Sequence, residues 1–389
     1  MTTTPLTRSF PGQWLTTFGW MSLEQSGQKI TGIYHYGDTE GRIDGTLSGD
    51  SLRFHYEEPN EQGEGVFQLL RAGKFTGTYT PAGDHQVRRW EGERGWDGLW
   101  DSDFGRMRLL HEADRVHGSY EGAGSSEIEG HTVAGDGGRL AFRYREPRVS
   151  GEGHFELSED GTSFAGEWRA STTTAATAAV GSEEWKPWRG ARVQAQRGIT
   201  WLLVLEAHWQ RSIAENEYAF GHMLREVFAR LPQVRVRQRF FHDAESLDHW
   251  CRELRYIAEP AILMIASHGV ADGLSVHGEV INTTRVLDSV RGAGNLKLLH
   301  FSSCLVGLDG QRALTKQPFP VSGYTTSVDW GASAMLEFTY LDLMLNRGLD
   351  PADAAMALPK LVTYAGDTVA DDSPYRAAGF RFFPANSVT

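Results

Sequence analysis

A chain of 389 residues, 40% of them hydrophobic and with a formal net charge of −12, is long enough for two or three domains with real cores and too acidic for nucleic acid or an anionic membrane to be its main partner. Its only cysteines, Cys251 and Cys304, exclude a disulfide scaffold, and no Cys/His group has zinc-finger spacing, so neither a metal nor a cofactor is expected. No run approaches the ~18 uninterrupted apolar residues of a membrane helix, and the start, Met1-Thr2-Thr3-Thr4-Pro5-Leu6, lacks the apolar core of a secretory signal; a reducing cytoplasm is the expected compartment.

The first 190 or so residues hold eight of the twelve tryptophans and are rich in glycine. Short alternating runs punctuated by Gly, Asp and Asn read as an all-β region. That region repeats itself. Trp14-x-Thr16-x-Phe18-Gly19-x-Met21-x-Leu23 matches Trp100-x-Ser102-x-Phe104-Gly105-x-Met107-x-Leu109. Gly32-x-Tyr34 matches Gly118-x-Tyr120, and Gly63-x-Gly65-x-Phe67 matches Gly151-x-Gly153-x-Phe155. One module, 1–92, is therefore duplicated as 93–197 with small loop insertions. Each copy should be an antiparallel meander that closes or stacks to hide its edges. The composition, with G-x-W and G-x-Y elements, resembles lipocalin-like and avidin-like β-barrels, which implies a ligand or partner for the module. Side chains that simply fill each barrel are the other reading. The stretch 171–179 has neither turn nor core logic and is expected to be a mobile loop or a poorly paired insertion.

From about 198 the pattern becomes apolar strands alternating with amphipathic helices, as in an α/β domain over 198–389. A strand at 199–205 leads to a helix over 215–231, with Phe220, Leu224, Val227, Phe228 and Leu231 at helical spacing. A strand at 234–241 precedes a helix at 245–257, where Cys251 shares a stripe with Leu247 and Leu254 and reads as a small buried apolar residue. The run 261–267 ends at His268-Gly269, and a glycine-punctuated hairpin at 273–280 and a helix at 284–291 follow. The run 296–303 ends at Cys304. A strand at 319–328, a helix at 332–346 stopped by Gly348, a helix opened by Asp350-Pro351 and a closing strand at 380–383 complete the chain. Short, almost continuously apolar runs are buried parallel strands, so the sheet should be largely parallel and covered on both faces.

His268 and Cys304 thus end two strands of one sheet, on the edge where open α/β sheets place their ligands. A thiol is a weak nucleophile until a neighbour takes its proton, and imidazole is the usual agent. Ser267-His268-Gly269, Phe301-Ser302-Ser303-Cys304 and the segment from Ser322 to Trp330 resemble the caspase-like cysteine peptidases, most closely the bacterial CHAT-domain proteases, over roughly 198–389. The Ser-Ser-Cys-Leu-Val string departs from the caspase Q-A-C-x-G pattern. The interval of 36 residues from His268 to Cys304 is shorter than the roughly 50 of caspases. The resemblance implies that Cys304 attacks the scissile carbonyl, that His268 carries the proton, and that the N–H groups of Gly269 and Cys304 hold the oxyanion. His277 falls in the hairpin, and His300 reads as a hydrogen-bonded core histidine; neither is the expected base.

The resemblance also assigns the pocket for the residue before the cut to Glu206, Ser302 and Asp329. None is basic, so a carboxylate floor would pair with Arg or Lys. Asp329 equally reads as a helix N-cap, and Glu206 as a solvated strand end. The expected function is a cysteine endopeptidase acting on a protein partner, by analogy one encoded nearby, and directed by its β module. By analogy such proteins serve bacterial stress or phage defence. The alternatives are a ligand-binding barrel protein with a non-catalytic caspase-like scaffold, and a hydrolase of small thioesters or amides.

Overall fold

In the strand Ser51–Glu57 every second side chain is buried, namely Leu52, Phe54 and Tyr56, and the same alternation runs through the first half of the chain. One face of each strand must therefore meet other apolar faces. The computed structural model describes residues 9–36, 39–71, 73–84, 86–112, 114–122, 126–133, 136–158, 161–171, 184–196, 198–208, 214, 219–306, 311–328, 330–361 and 379–386. Within these, the chain divides into two compact units, Met1–Arg197 and Gly198–Thr389. The expected loop at 171–179 lies, after Ser171, outside the described residues.

The first unit holds two antiparallel barrels. Strands β1 (Gly12–Thr16), β2 (Gly19–Ser26), β3 (Lys29–Tyr36), β4 (Thr39–Ser48), β5 (Ser51–Glu57), β6 (Gln62–Arg71) and β7 (Lys74–Pro81) pair in sequence. After the short β8 (Arg88–Arg89), β9 (Gly92–Glu93) pairs with both β7 and β1, which closes a ring of eight strands. The second barrel runs β10 (Gly98–Ser102), β11 (Gly105–Glu112), β12 (Arg115–Tyr120), β13 (Ser126–Val133), β14 (Asp136–Arg145), β15 (Ser150–Leu157), β16 (Ser163–Ala170) and β17 (Lys186–Arg192), closed by β17 on β10. Closure removes the exposed edges that a meander would leave.

Aromatic rings fill both interiors. Trp90 lies 4.6 Å from Phe18, 4.8 Å from Tyr34 and 5.2 Å from Phe67 between ring centroids. Trp188 lies 4.7 Å from Phe104, 5.1 Å from Tyr120 and 5.1 Å from Phe155 in the second barrel. The repeated Gly-x-Gly makes room for these rings: a Cβ on Gly65 would sit 2.3 Å from Phe54 Cζ, and one on Gly153 2.3 Å from Phe142 Cζ. One end of each barrel carries the same lock. Arg94 lies 4.3 Å over the Trp14 ring and donates to Ser9 O and Pro11 O at 2.8 Å. Arg192 lies 4.3 Å over Trp100 and donates to Gly95 O and Asp97 O. Between the barrels, Glu93 accepts from Lys74 at 2.9 Å and Arg108 at 3.3 Å.

The second unit is built on a six-stranded sheet in the order β19 (Val234–Phe241), β18 (Thr200–Ala207), β20 (Ala261–Ala266), β24 (Leu296–Ser302), β25 (Val321–Tyr324), β26 (Phe380–Phe383). The first five are parallel and β26 is antiparallel to β25. All six residues of β20 are buried, as its unbroken apolar run requires when both faces are covered. One face packs α2 (Ala244–Glu253) and α3 (Thr283–Val290); the other packs α1 (Phe220–Phe228), α5 (Trp330–Leu345) and α6 (Pro351–Leu361). A separate small sheet holds β21 (His268–Val270), β22 (Gly273–Val276) and β23 (Glu279–Asn282).

Two elements differ from their expected extents. Of the helix read over 215–231, residues 215–218 lie outside the described residues; α1 ends at Phe228, and Val227 faces solvent rather than the core. The strand read over 319–328 pairs only through β25, because the chain beyond Tyr324 turns its backbone toward the loop that carries Cys304. There Leu305 N–H donates to Thr326 O at 3.2 Å. Cys251 is buried on α2 as expected; burial, then the nearby Asp248, pushes its thiol well above the ordinary range.

Candidate active site

Strands β20 and β24 are in register to their ends, with Ala266 opposite Ser302. The residues that follow each strand therefore leave the sheet side by side. Ser267 N–H donates to Ser302 O at 3.4 Å and to Ser303 Oγ at 3.2 Å, and the two hydroxyls of Ser267 and Ser303 lie 3.2 Å apart. Ser267 Oγ also donates to His268 O at 2.9 Å. The Ser-Ser pair before the cysteine thus ties the two strand ends together. His268 is exposed and Cys304 partly so.

Gly269 packs directly on the cysteine backbone. A Cβ there would fall 1.8 Å from Cys304 O and 2.7 Å from Cys304 N, so only glycine fits this approach. The chain turns sharply after the cysteine. Leu305 has a φ of 62°, a left-handed conformation that a branched residue rarely takes, and Val306 N–H donates back to Cys304 O at 2.8 Å. Such strain collects at functional sites, where the surroundings enforce it. Val328 N–H points at the sulfur, 3.3 Å from Sγ, and so fixes where the thiol sits. The structure thus brings His268, Gly269, Ser302 and Cys304 to one rim.

Glu206 stands level with Ala266 near the end of β18, but its side chain is turned inward. It is fully buried, and its oxygens accept from Phe220 N–H at 2.8 Å, Gly221 N–H at 3.0 Å and Gln238 Nε2 at 2.8 Å. It caps the N-terminus of α1, whose own N-cap Ala219 has no side-chain acceptor, so Glu206 is a buried cap rather than a solvated strand end. Asp329 lies outside the described residues.

His300 is buried between Ser322 Oγ at 2.8 Å and Glu337 Oε1 at 3.2 Å, which bears out its reading as a hydrogen-bonded core residue. Tyr324 donates to the same Glu337 oxygen at 3.0 Å. Its hydroxyl is pushed well above the ordinary range by burial and by that carboxylate. This network braces β24 and β25 against α5 beneath the cysteine. Sequence reasoning missed Glu337, although a lone carboxylate in the apolar run 334–338 was a usable signal. It also missed Val328, whose contribution is a backbone N–H and leaves no trace in residue type. No protein-family model matches the chain, and no curated protein is detectably similar to it.

Proposed function

We propose that the second unit is a cysteine endopeptidase in which Cys304 is the nucleophile and His268 the proton carrier. The observation that carries this reading is the packing of Gly269 on the backbone of a partly exposed cysteine, one residue after a solvent-facing histidine. In the reaction Sγ gives up its proton to His268 and bonds to the scissile carbonyl carbon, whose oxygen takes up the negative charge. The N–H groups of Gly269 and Cys304 are the proposed donors to that oxygen. Collapse of the intermediate breaks the C–N bond, and His268 returns the proton to the leaving amine. Water then attacks the thioester carbonyl carbon, giving a proton to His268; the C–S bond breaks, Sγ takes that proton back, and the carboxylic acid departs. The strained turn at Leu305 and the Val328 N–H support a sulfur held ready in one orientation.

With Glu206 committed to α1, a preference for Arg or Lys before the cut would rest on Asp329. The alternative of a ligand held in the barrels is weakened by the rings around Trp90 and Trp188. The test is labelling of the full chain with peptidyl acyloxymethyl ketones carrying Arg, Leu or Asp next to the warhead, read by mass spectrometry. The expected result is one adduct, on Cys304, lost in Cys304→Ala. An absence of labelling by all three, or labelling of Cys251 alone, would overturn the proposal.

A further inference from the structure

We propose that His208, His242 and His277 form a site for a divalent transition-metal ion of the zinc class. The three come from separate elements that meet at the carboxyl rim of the second unit's sheet. His208 directly follows β18, and His242 directly follows β19. These strands pair in parallel to their last residues, Ala207 opposite Phe241, and His208 N–H donates to Phe241 O at 3.3 Å. The rings of His208 and His242 are consequently 5.5 Å apart. His277 occupies the turn between β22 and β23, with its ring 6.2 Å from that of His208. One ligand atom from each histidine lies within 4.8 Å of the others.

The donor set selects the ion. Three imidazoles without a carboxylate suit zinc, copper, nickel or cobalt, not calcium or magnesium, which take oxygen ligands. A tetrahedral ion at Zn–N distances of 2.0–2.1 Å would hold the nitrogens about 3.3 Å apart. His242 and His277 are exposed, so rotation of their side chains supplies the closure. Three protein ligands leave a fourth position open.

A second observation concerns the turn itself. His277 has a φ of 49° and Gly278 a φ of 89°. A two-residue hairpin turn with both residues left-handed ordinarily reads Asn-Gly. A histidine held there against local preference, beside two others, marks a site where a structural rule yields to function. The ion would fasten the tip of the hairpin to the ends of two sheet strands.

The test uses untagged full-length Cys304→Ala protein, so that the thiol cannot capture the metal and the result stands apart from the peptidase proposal. Cobalt(II) is titrated while its visible absorption is followed, and zinc(II) affinity is measured by calorimetry. The expected result is one equivalent bound. His242→Ala and His277→Asn should each weaken zinc binding by more than about tenfold, the loss that even an outer partner of a metal ligand can cause. Asn tolerates the left-handed turn, and His242 is exposed, so neither variant should unfold the protein; circular dichroism checks this. His249→Ala, whose ring lies against Trp250 on α2, should bind as before. Absence of saturable binding, wild-type affinity in both His242→Ala and His277→Asn, or an equal loss in His249→Ala would overturn the site.

Discussion

The barrel interiors and the rim of the α/β sheet use their side chains in opposite ways. In the barrels equivalent positions carry equivalent rings, Trp90 with Trp188 and Phe54 with Phe142, and the lining glycines exist to admit them. Both copies of the module spend their apolar faces on filling space. At the sheet rim the neighbours are hydroxyls, imidazoles and a thiol, two non-glycine residues sit in left-handed conformations, and glycine admits backbone rather than a ring. A duplicated interior filled twice in one manner is packed space, whereas an exposed rim that keeps strain and titratable groups together is where chemistry is to be sought.

The largest expected contrast separates the two regions directly. Cys304→Ala should abolish peptide cleavage and probe labelling, whereas Trp90→Ala should leave labelling per folded molecule at wild-type level. Loss of labelling in folded Trp90→Ala protein would break the division of labour. Next in size, Gly269→Ala sets a Cβ against Cys304 O and forces two backbones apart. A displacement on the order of 1 Å can cost ~10²-fold in rate, so labelling should slow by at least about that factor while circular dichroism stays native.

Much of this contrast was legible in the residues. The apolar run 261–266 could only be a covered strand, and all of it is buried. The repeated Trp, Gly and Tyr positions disclosed the duplication, though not the Arg94 and Arg192 locks, which act on backbone carbonyls that sequence does not distinguish. Glu206 reads as a solvated strand end because its partners, two N–H groups of a later helix and the Gln238 amide, lie far along the chain. The available clue was Ala219, a residue that cannot cap a helix and so leaves its first donors in need of a carboxylate from elsewhere. β25 was read too long because β-branched Thr325, Thr326 and Val328 suit a strand, whereas Thr326 O accepts from Leu305 N–H in a loop instead of a ladder.

A stability measurement sharpens the claim that the lumens are packing devices. Trp90→Ala should cost about 3–5 kcal/mol, the usual loss for a large aromatic removed from a core. Trp188→Ala should cost a similar amount, because its ring neighbours are the equivalent residues. Trp90→Phe should cost clearly less, since the Trp90 indole N–H has no hydrogen-bond partner among the described residues. Urea unfolding followed by tryptophan fluorescence reads all three. Equal losses for Phe and Ala at Trp90 would point to a role for the indole beyond filling space.

The smallest expected effect lies where the two barrels meet. Burial pushes the Glu93 carboxyl up, but Lys74 and then Arg108 outweigh it and hold the group well below the usual carboxylate range. A carboxylate lowered by folding stabilises the native state at pH values above its unfolded value. That contribution fades as pH falls below the ordinary carboxylate range toward the lowered value. Glu93→Gln should therefore destabilise the barrel unit near neutrality by about 1–3 kcal/mol, the scale of a hydrogen bond to a charged group. The gap between wild type and variant should narrow on acidification from pH 5 to pH 3, about the span over which an unfolded-state carboxyl takes up its proton. Urea midpoints of the two proteins across that range provide the measurement. A gap that is constant with pH would mean that Glu93 joins the barrels by shape and neutral hydrogen bonds rather than by its charge.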